Sequence, residues 1–266
     1  MSEESTHRTR APDYVFVGSV CFLSLVWIIF LAMDVWGAPY APFVFLSEHV
    51  QDTLFFMWAF GQAGPVELFQ WLALGMCLGL IGRLIHRSSL RQPSLSRVIL
   101  AVGALGLAVM LLEDMVNVRH RLALTVVVPL LNAEPKGLVR TLTEMTFYAM
   151  LATLMITFFL GAVKPLTHAP RAAQYFVAGY IFYGIAALAS ASRYVGDWYT
   201  RVGTWVVEST APDIVQAFSE GYSDPLHPVG YWFMDRLLEE SIELIAASAL
   251  LAGLLHYSFH LDRQER

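Results

Sequence analysis

The sequence predicts an all-α, multi-pass integral membrane protein: a bundle of six transmembrane helices with short interfacial helices in the outer loops. The chain has 266 residues, of which 56% are hydrophobic and only 15% are charged. A soluble domain carries about 25% charged residues. Several apolar stretches also reach the roughly 20 residues that an α-helix needs to cross a bilayer. The lipid bilayer of a cell membrane, inner or plasma, is therefore the first predicted partner of this chain.

Six apolar stretches define the predicted spans. They are Tyr14–Asp34, Val66–Ile85, Arg97–Val116, Leu142–Val163, Tyr175–Arg193 and Tyr231–Tyr257. The first is longer than the roughly 7–15 residues of a signal-peptide core, so we interpret it as a retained membrane anchor. We expect one transmembrane domain over residues 14–260, between an N-terminal tail at 1–13 and a C-terminal tail at 261–266.

The distribution of charge predicts the orientation of the spans. With six spans, both termini lie on one side of the membrane, and that side receives ten of the 17 basic residues. The positive-inside rule then places both termini in the cytoplasm. Only five of the 22 acidic residues fall on the same side, so the predicted outer side is negative. Such a surface attracts cations.

The long outer connections are predicted to contain short helices. Ser47 is a candidate N-cap for a helix that runs to about Phe60 and places His49 on one face with Asp52. In a later connection, Pro212 suits a first helical turn and Gly221 suits a helix end. The apolar side chains of this second helix predict an interfacial position, with one face against lipid.

Polar and ionisable residues of several spans share one predicted depth. At a rise of about 1.5 Å per residue, the following residues fall in the outer third of the bilayer: Glu67, Gln70, Glu113, Glu144, Arg193, Glu239, Glu240 and Glu243. A charged side chain at mid-membrane costs at least about 2.5–3.5 kcal/mol, so such residues face the bundle interior and find partners. The shared depth predicts a functional site on the outer side.

Helical spacing places two sets of these residues on single helix faces. Glu113, Asn117 and His120 of "LLEDMVNVRHRL" follow i, i+4, i+7. In the last span, Arg236 and Glu240 begin a second i, i+4, i+7 series that Glu243 completes. Arg236 is expected to pair with Glu240 in its own turn, and with Glu113 or Asp114 across the helix interface. We predict that both faces line one outer cavity.

This predicted cavity has the side chains of a cation or metal site. Carboxylates with one or two histidines suit iron, manganese, zinc, calcium or magnesium, so a divalent metal ion is the candidate cofactor. The acids also outnumber the arginines, and the excess must be protonated, hydrated or neutralised by a bound cation. The predicted ligands are Glu113, His120, Glu144, Glu240 and Glu243, with Glu67, Asp114, Asn117, Arg193, Arg236, Glu239 and His49 in supporting positions.

Other chemistries lack their sequence motifs. The two cysteines, Cys21 and Cys77, both lie in apolar stretches and form neither a metal-binding pair nor a disulfide framework. The sequence has no Walker loop, nucleophile elbow or His-Glu-x-x-His helix. It also has no basic patch suited to nucleic acid. No residue is therefore assigned a catalytic role.

Three functions fit these observations. The first is a cation or metal site that acts on a lipid or small apolar substrate from the outer leaflet. The second is an ion- or proton-coupled transporter, or a channel, that uses the acids as an outer vestibule. The third is a non-catalytic subunit or assembly factor that binds other membrane subunits and in which the polar cluster only holds helices together.

Overall fold

The computed structural model describes residues 3–37, 54–88, 97–134, 138–193, 196–221 and 227–264. About nine-tenths of the structure is helical, and none of the described residues lies in a β-strand. Within these ranges, six helices are long and apolar enough to cross a membrane. The protein is therefore a helical membrane protein with several spans.

The six candidate membrane spans lie where the hydropathy predicts them. They are span 1 (Arg10–Val35), span 2 (Pro65–Arg87), span 3 (Arg97–Val116), span 4 (Leu138–Leu166), span 5 (Pro170–Ser192) and span 6 (Val229–Gln264). Span 3 has the predicted bounds. Span 6 shows the largest extension, because its helix continues past the apolar stretch into the polar C-terminal residues.

The spans are assembled from longer and shorter helical pieces. The α-helices are Glu3–Phe30, Phe55–Ala59, Pro65–Ser88, Arg97–Val116, Val118–Arg121, Val128–Leu130, Leu138–Leu166, Pro170–Ser192, Trp198–Thr210, Pro212–Gly221, Val229–Trp232 and Glu240–Gln264. Three described segments are π-helical: Leu31–Val35, Leu122–Val127 and Phe233–Glu239. The helix Pro212–Gly221 has the bounds that its Pro and Gly suggest, while its interfacial position stays a prediction.

The chain forms two compact units. Unit 1 comprises Met1–Val17, Gln70–Gly184 and Ile245–Arg266, and unit 2 comprises Gly18–Phe69 and Ile185–Leu244.

Unit 1 has an apolar core in which span 3 contacts span 4. Phe158 of span 4 is buried and makes an edge contact with Phe176 of span 5 at 5.5 Å between ring centroids. A Cβ atom on Gly103 would lie 2.6 Å from the Phe158 ring. Glycine at this position therefore lets the two helices approach closely, as small residues do between membrane helices.

Unit 2 has an aromatic core around the start of a short helix. Phe30 contacts both Phe56 and Phe233, with centroid distances of 6.0 and 6.5 Å. The Asp34 carboxylate accepts hydrogen bonds from the backbone N–H groups of Phe55 (2.9 Å) and Phe56 (2.8 Å). These donors are the groups that a helix start leaves unpaired, so Asp34 fixes where the helix Phe55–Ala59 begins.

The predicted helix from Ser47 to Phe60 is therefore corrected in the part that the structure describes. Leu54 has extended backbone dihedral angles (φ −58°, ψ 143°), and the helix begins only at Phe55. The Asp34 side chain caps the helix at this point, while the predicted cap at Ser47 is not tested. Ser47 and His49 lie outside the described residues.

We expect both termini to be cytoplasmic, with the connection before span 2 on the outer side. Single cysteines at positions 63 and 90, in a background without Cys21 and Cys77, test this topology with a membrane-impermeant thiol reagent. Intact cells should label position 63 and leave position 90 unlabelled until the membrane is permeabilised, because the basic residues beyond span 2 are retained inside. Labelling of intact cells at 90 but not at 63 would reverse the orientation.

Candidate functional site

The stretch "LLEDMVNVRHRL" contains a helix break. Span 3 ends at Val116, and Asn117 adopts a left-handed conformation (φ 53°, ψ 49°) before the short helix Val118–Arg121 begins. Asparagine is one of the few residues that tolerates this conformation. The Glu113 carboxylate then accepts a hydrogen bond from the backbone N–H of Arg119 at 2.7 Å. Glu113 thus caps the helix that follows its own.

The predicted single face of Glu113, Asn117 and His120 is corrected by this break. An i, i+4, i+7 series lies on one face only if the helix continues through it. The left-handed Asn117 ends the helix after Glu113 and changes the chain direction before His120. Glu113 and His120 do belong to the same polar group, but through Arg119 and Glu144 rather than through a common helix face.

Arg119 is the buried cation at the centre of this group. Its side chain is 8% exposed, and its Nε lies 3.3 Å from Glu113 Oε1 and 3.9 Å from Glu144 Oε2. The guanidinium also lies over the Tyr148 ring, 4.5 Å from the ring centroid. A charge in this position is stabilised by carboxylates on two elements and by the ring face.

His120 contacts the same carboxylate from another direction. Its Nδ1 lies 2.8 Å from Glu144 Oε1, and Arg140 Nε donates to the same oxygen at 2.8 Å. The Glu144 side chain is only 4% exposed. The carboxylate of Glu144 therefore interacts with three basic side chains from span 4 and the segment after the Asn117 break. We call Glu113, Arg119, His120, Arg140 and Glu144 the Glu144 network.

Asp114 has a separate partner. Its Oδ2 accepts a hydrogen bond from the Gln70 side-chain amide at 2.7 Å. Among the five side chains of the Glu144 network, the guanidinium groups of Arg119 and Arg140 contact the carboxylates of Glu113 and Glu144. His120 is the member whose charge depends on protonation.

Unit 2 contains a second set of predicted site residues. Arg193 is 3% exposed, and its Nη1 lies 2.6 Å from Asp235 Oδ1. The Tyr199 hydroxyl donates to Glu239 Oε2 at 2.7 Å. Burial, reinforced by the carboxylates of Glu239 and Asp235, raises the pKa of Tyr199 far above its usual range. The hydroxyl therefore stays neutral and acts as a donor to Glu239.

Arg236 has a different environment from the one predicted. Its guanidinium lies over the Trp232 ring at 4.8 Å from the centroid, and a Cβ on Gly61 would lie 2.5 Å from its NH1. No ion pair joins Arg236 to Glu240 among the residues that the structure describes. The π-helical segment Phe233–Glu239 explains the difference, because it changes the turn between the two residues from the α-helical spacing assumed by the prediction.

The remaining predicted residues are also placed in unit 2, where described. Glu67 is buried at the start of span 2, and its carboxylate accepts a hydrogen bond from the Ala63 backbone N–H. Glu240 and Glu243 are half-buried in span 6. The common cavity that would join them to Glu113 and His120 stays a prediction.

The π-helical segments coincide with the polar residues. Asp34 lies in the first segment, His120 comes two residues before the second, and Asp235 lies in the third together with Glu239. π-Helical turns occur frequently at functional sites. That these residues share one outer layer stays a prediction.

The predicted metal site can be tested against the positions of its candidate ligands. Among the described residues, no three His, Cys, Asp or Glu side chains come together as the ligands of one ion. In the Glu144 network, the reason is chemical, because Arg119 and Arg140 occupy the carboxylate positions that a metal would need.

Sequence reasoning missed several residues of these groups. Nothing in the sequence distinguishes Arg119 from the other arginines available for pairing or marks Tyr148 and Tyr199. Asp34 is the last residue of the first predicted span, and Asp235 lies inside the last one without a predicted role. A signal existed in one case: Asn117 follows the last apolar residue of span 3, where Asn is typical of a helix C-terminus.

No known protein family, curated protein or solved structure matches the chain. Its class is therefore defined by its fold and its polar groups: a multi-pass helical membrane protein with buried acidic and histidine residues.

Replacement of Asn117 by Gly and by Val should separate the role of the break from that of the side chain. We expect Asn117→Gly to keep the thermal stability in detergent, since Gly adopts the left-handed conformation without cost. Asn117→Val should lose at least about 1–2 kcal/mol, because a side chain branched at Cβ opposes that conformation. Equal melting temperatures for the two variants would contradict the observed break.

Replacement of Arg236 by Ala should lower the thermal stability in detergent more than replacement of the exposed Lys164 by Ala. The guanidinium of Arg236 covers Trp232 and fills the space that Gly61 leaves, whereas Lys164 lies at an exposed helix end. We expect a difference of about 1–2 kcal/mol, as for a desolvated cation on an aromatic ring with additional lost contacts. Identical melting curves would show that the Arg236 contacts add nothing to stability.

Proposed function

We propose that this protein binds a cation in the predicted outer half of the membrane, and that the best-defined occupant is a proton shared by His120 and Glu144. The observation that carries the proposal is the 2.8 Å contact between His120 Nδ1 and a Glu144 carboxylate that is 4% exposed. Histidine is the side chain whose charge ordinarily changes between pH 5 and 8. A buried carboxylate partner retains that proton more strongly than water does.

The charges around His120 support a proton rather than a divalent metal at this position. Glu113 and Glu144 are already balanced by Arg119 and Arg140. A divalent ion would add two positive charges beside these guanidinium groups, whereas protonation of His120 adds one charge directly against Glu144. The smaller perturbation favours the proton.

Use of this site in ion- or proton-coupled transport is supported by the burial of its ionisable groups, Glu144 above all. Buried ionisable side chains of membrane proteins commonly mark ion or proton pathways. Catalysis on a lipid or small apolar substrate would use the His120 imidazole as a general base oriented by Glu144, in the manner of carboxylate–histidine pairs in enzymes.

A divalent metal remains the alternative occupant in unit 2. There, the described carboxylates of Asp235, Glu239, Glu240 and Glu243 exceed the cations of Arg193 and Arg236. Such an excess favours a bound cation or protonated carboxyl groups.

A purely structural role, in a subunit or assembly factor, is supported by a different observation. Glu113 both caps the helix Val118–Arg121 and pairs with Arg119, so these contacts alone fix the chain after span 3. On this alternative, His120 stays in one protonation state during activity, and the protein co-purifies with another membrane subunit.

Two measurements on the native protein test the proposal. Proteoliposomes that enclose a pH-sensitive dye should show proton movement after an external pH jump, relative to protein-free liposomes. Protein purified without added metal should contain no stoichiometric divalent ion. A bound metal with no proton movement would favour the metal alternative, and the absence of both would favour the structural role.

A further inference from the structure

A cavity lies at the end of unit 1 that carries the C-terminus of span 4 and the last turns of span 6. Its volume is about 280 Å³, and it is lined by Lys164, Pro165, His168, Tyr257, His260, Leu261 and Gln264. On the predicted topology this is the cytoplasmic end of the membrane domain, and on span 4 Lys164 lies 20 residues beyond Glu144.

Helical geometry brings the lining residues of span 6 together. Tyr257, His260, Leu261 and Gln264 follow i, i+3, i+4, i+7 and therefore lie on one face of the helix. His260 Nε2 lies 3.0 Å from the Gln264 side-chain nitrogen. The opposite wall comes from the last turn of span 4 and the turn after it, through Lys164 and His168.

The charge of the cavity is positive. Its lining contains one lysine and two histidines and no carboxylate. Asp262, the neighbour of Leu261, contacts Arg87 at 2.5 Å and Arg83 at 3.2 Å, so its charge is already paired. An anion entering the cavity would therefore meet several donors and no opposing lining charge.

The surface beside the cavity is apolar. Leu160 precedes Lys164 by one helical turn and is 68% exposed, and Val163 is 36% exposed. Pro165 and Leu261 make part of the cavity wall itself. A basic group at the end of an apolar, lipid-facing helix surface matches a lipid molecule, whose phosphate lies above its acyl chains.

We propose that this cavity binds the phosphate headgroup of an anionic membrane lipid. Lys164, His168 and His260 contact the phosphate, Gln264 donates a hydrogen bond to it, and the acyl chains lie along the Leu160 face of span 4. The proposal does not depend on the function of the Glu144 network.

The test uses the full-length protein in phosphatidylcholine nanodiscs with and without phosphatidylglycerol, and native mass spectrometry measures the lipid that stays bound. We expect the double variant Lys164→Gln/His260→Gln to retain at least about fivefold less phosphatidylglycerol, from the loss of about one lipid-facing charge. The matched control is Arg263→Gln, which removes an exposed charge next to the cavity lining but outside it, and should retain the lipid. Equal retention by all variants, or equal loss in the control, would overturn the proposal.

Binding of glycerol 3-phosphate distinguishes a lipid site from a site for a soluble phosphate. This probe carries the same phosphate chemistry without acyl chains, so a lipid site should bind it much more weakly than phosphatidylglycerol. Binding of the two with the same affinity would show that the cavity takes a soluble phosphate, and would also overturn the proposal.

Discussion

Replacement of Arg119 by Ala should destabilise the protein more than any other single change in the Glu144 network. The side chain of Arg119 is the cation between Glu113 and Glu144, and the three side chains are 8%, 10% and 4% exposed. Its removal leaves buried carboxylates without their partner, which typically costs about 3–5 kcal/mol. The lost contact with the Tyr148 ring adds to this cost. Thermal unfolding in detergent micelles measures the effect.

Arg121→Ala is the matched control for this prediction. Arg121 belongs to the same short helix, two residues further along, and is exposed. Its replacement should change stability by no more than about 0.5 kcal/mol. A second comparison uses Glu113→Gln/Arg119→Met, which removes a carboxylate charge together with the cation. This double variant should be more stable than Arg119→Ala, because one of the unpaired charges is gone. If Arg119→Ala and Arg121→Ala unfold at the same temperature, the Glu144 network does not hold the fold.

Much of the fold is predictable from the sequence because a bilayer imposes strong constraints. A span needs a minimum length of apolar helix, and that length is visible in a single sequence. The position of an acidic residue along its span is visible in the sequence as well, since Glu113 and Glu144 are close to identifiable span ends. The burial of acidic residues near these span ends could therefore be predicted from hydropathy, while their common depth in the membrane stays a prediction.

The partners of those acids could not be predicted in the same way. Which side chains pair with Glu113 and Glu144 depends on one backbone conformation, because the left-handed Asn117 turns Arg119 and His120 toward span 4. Intrinsic preferences for that conformation are small, about 1–2 kcal/mol per residue, and tertiary contacts decide whether it occurs. A regular helix through Asn117 would predict other partners, and the π-helical segment before Glu240 has the same effect in span 6.

Replacement of Glu144 by Gln should reduce the proton occupancy of His120 at neutral pH. The carboxylate lies 2.8 Å from His120 Nδ1, and an opposite charge at such a distance favours the charged form of a histidine. The amide of Gln keeps the shape but cannot compensate the positive charge. Nitrogen NMR of labelled histidine, with His120→Asn to assign the resonance, measures the protonated fraction directly.

The rate of proton movement in proteoliposomes should be lower in the variants that lower the proton occupancy of His120. If the site carries protons, the native protein is fastest, Glu144→Asp keeps part of the rate because it retains a carboxylate, and both Glu144→Gln and His120→Asn are strongly reduced. The matched control is Glu134→Gln, the same chemical change at an exposed position ten residues earlier. All variants need to be compared at equal folded fraction, since the Glu144 network also stabilises the protein.

The outcome separates a proton-binding site from a network that only stabilises the fold. A stabilising network needs the charges of its members but not a change in them, so His120→Asn would lower stability and leave any transport or metal content unchanged. A proton site needs His120 to gain and lose charge against Glu144, so the imidazole signal must change within the working pH range and disappear from that range in Glu144→Gln. If Glu144→Gln and Glu134→Gln give the same imidazole titration and the same proton movement, the pair only holds the helices together. Of the two side chains, His120 decides the matter, because Arg119 and Arg140 already balance the carboxylates without it.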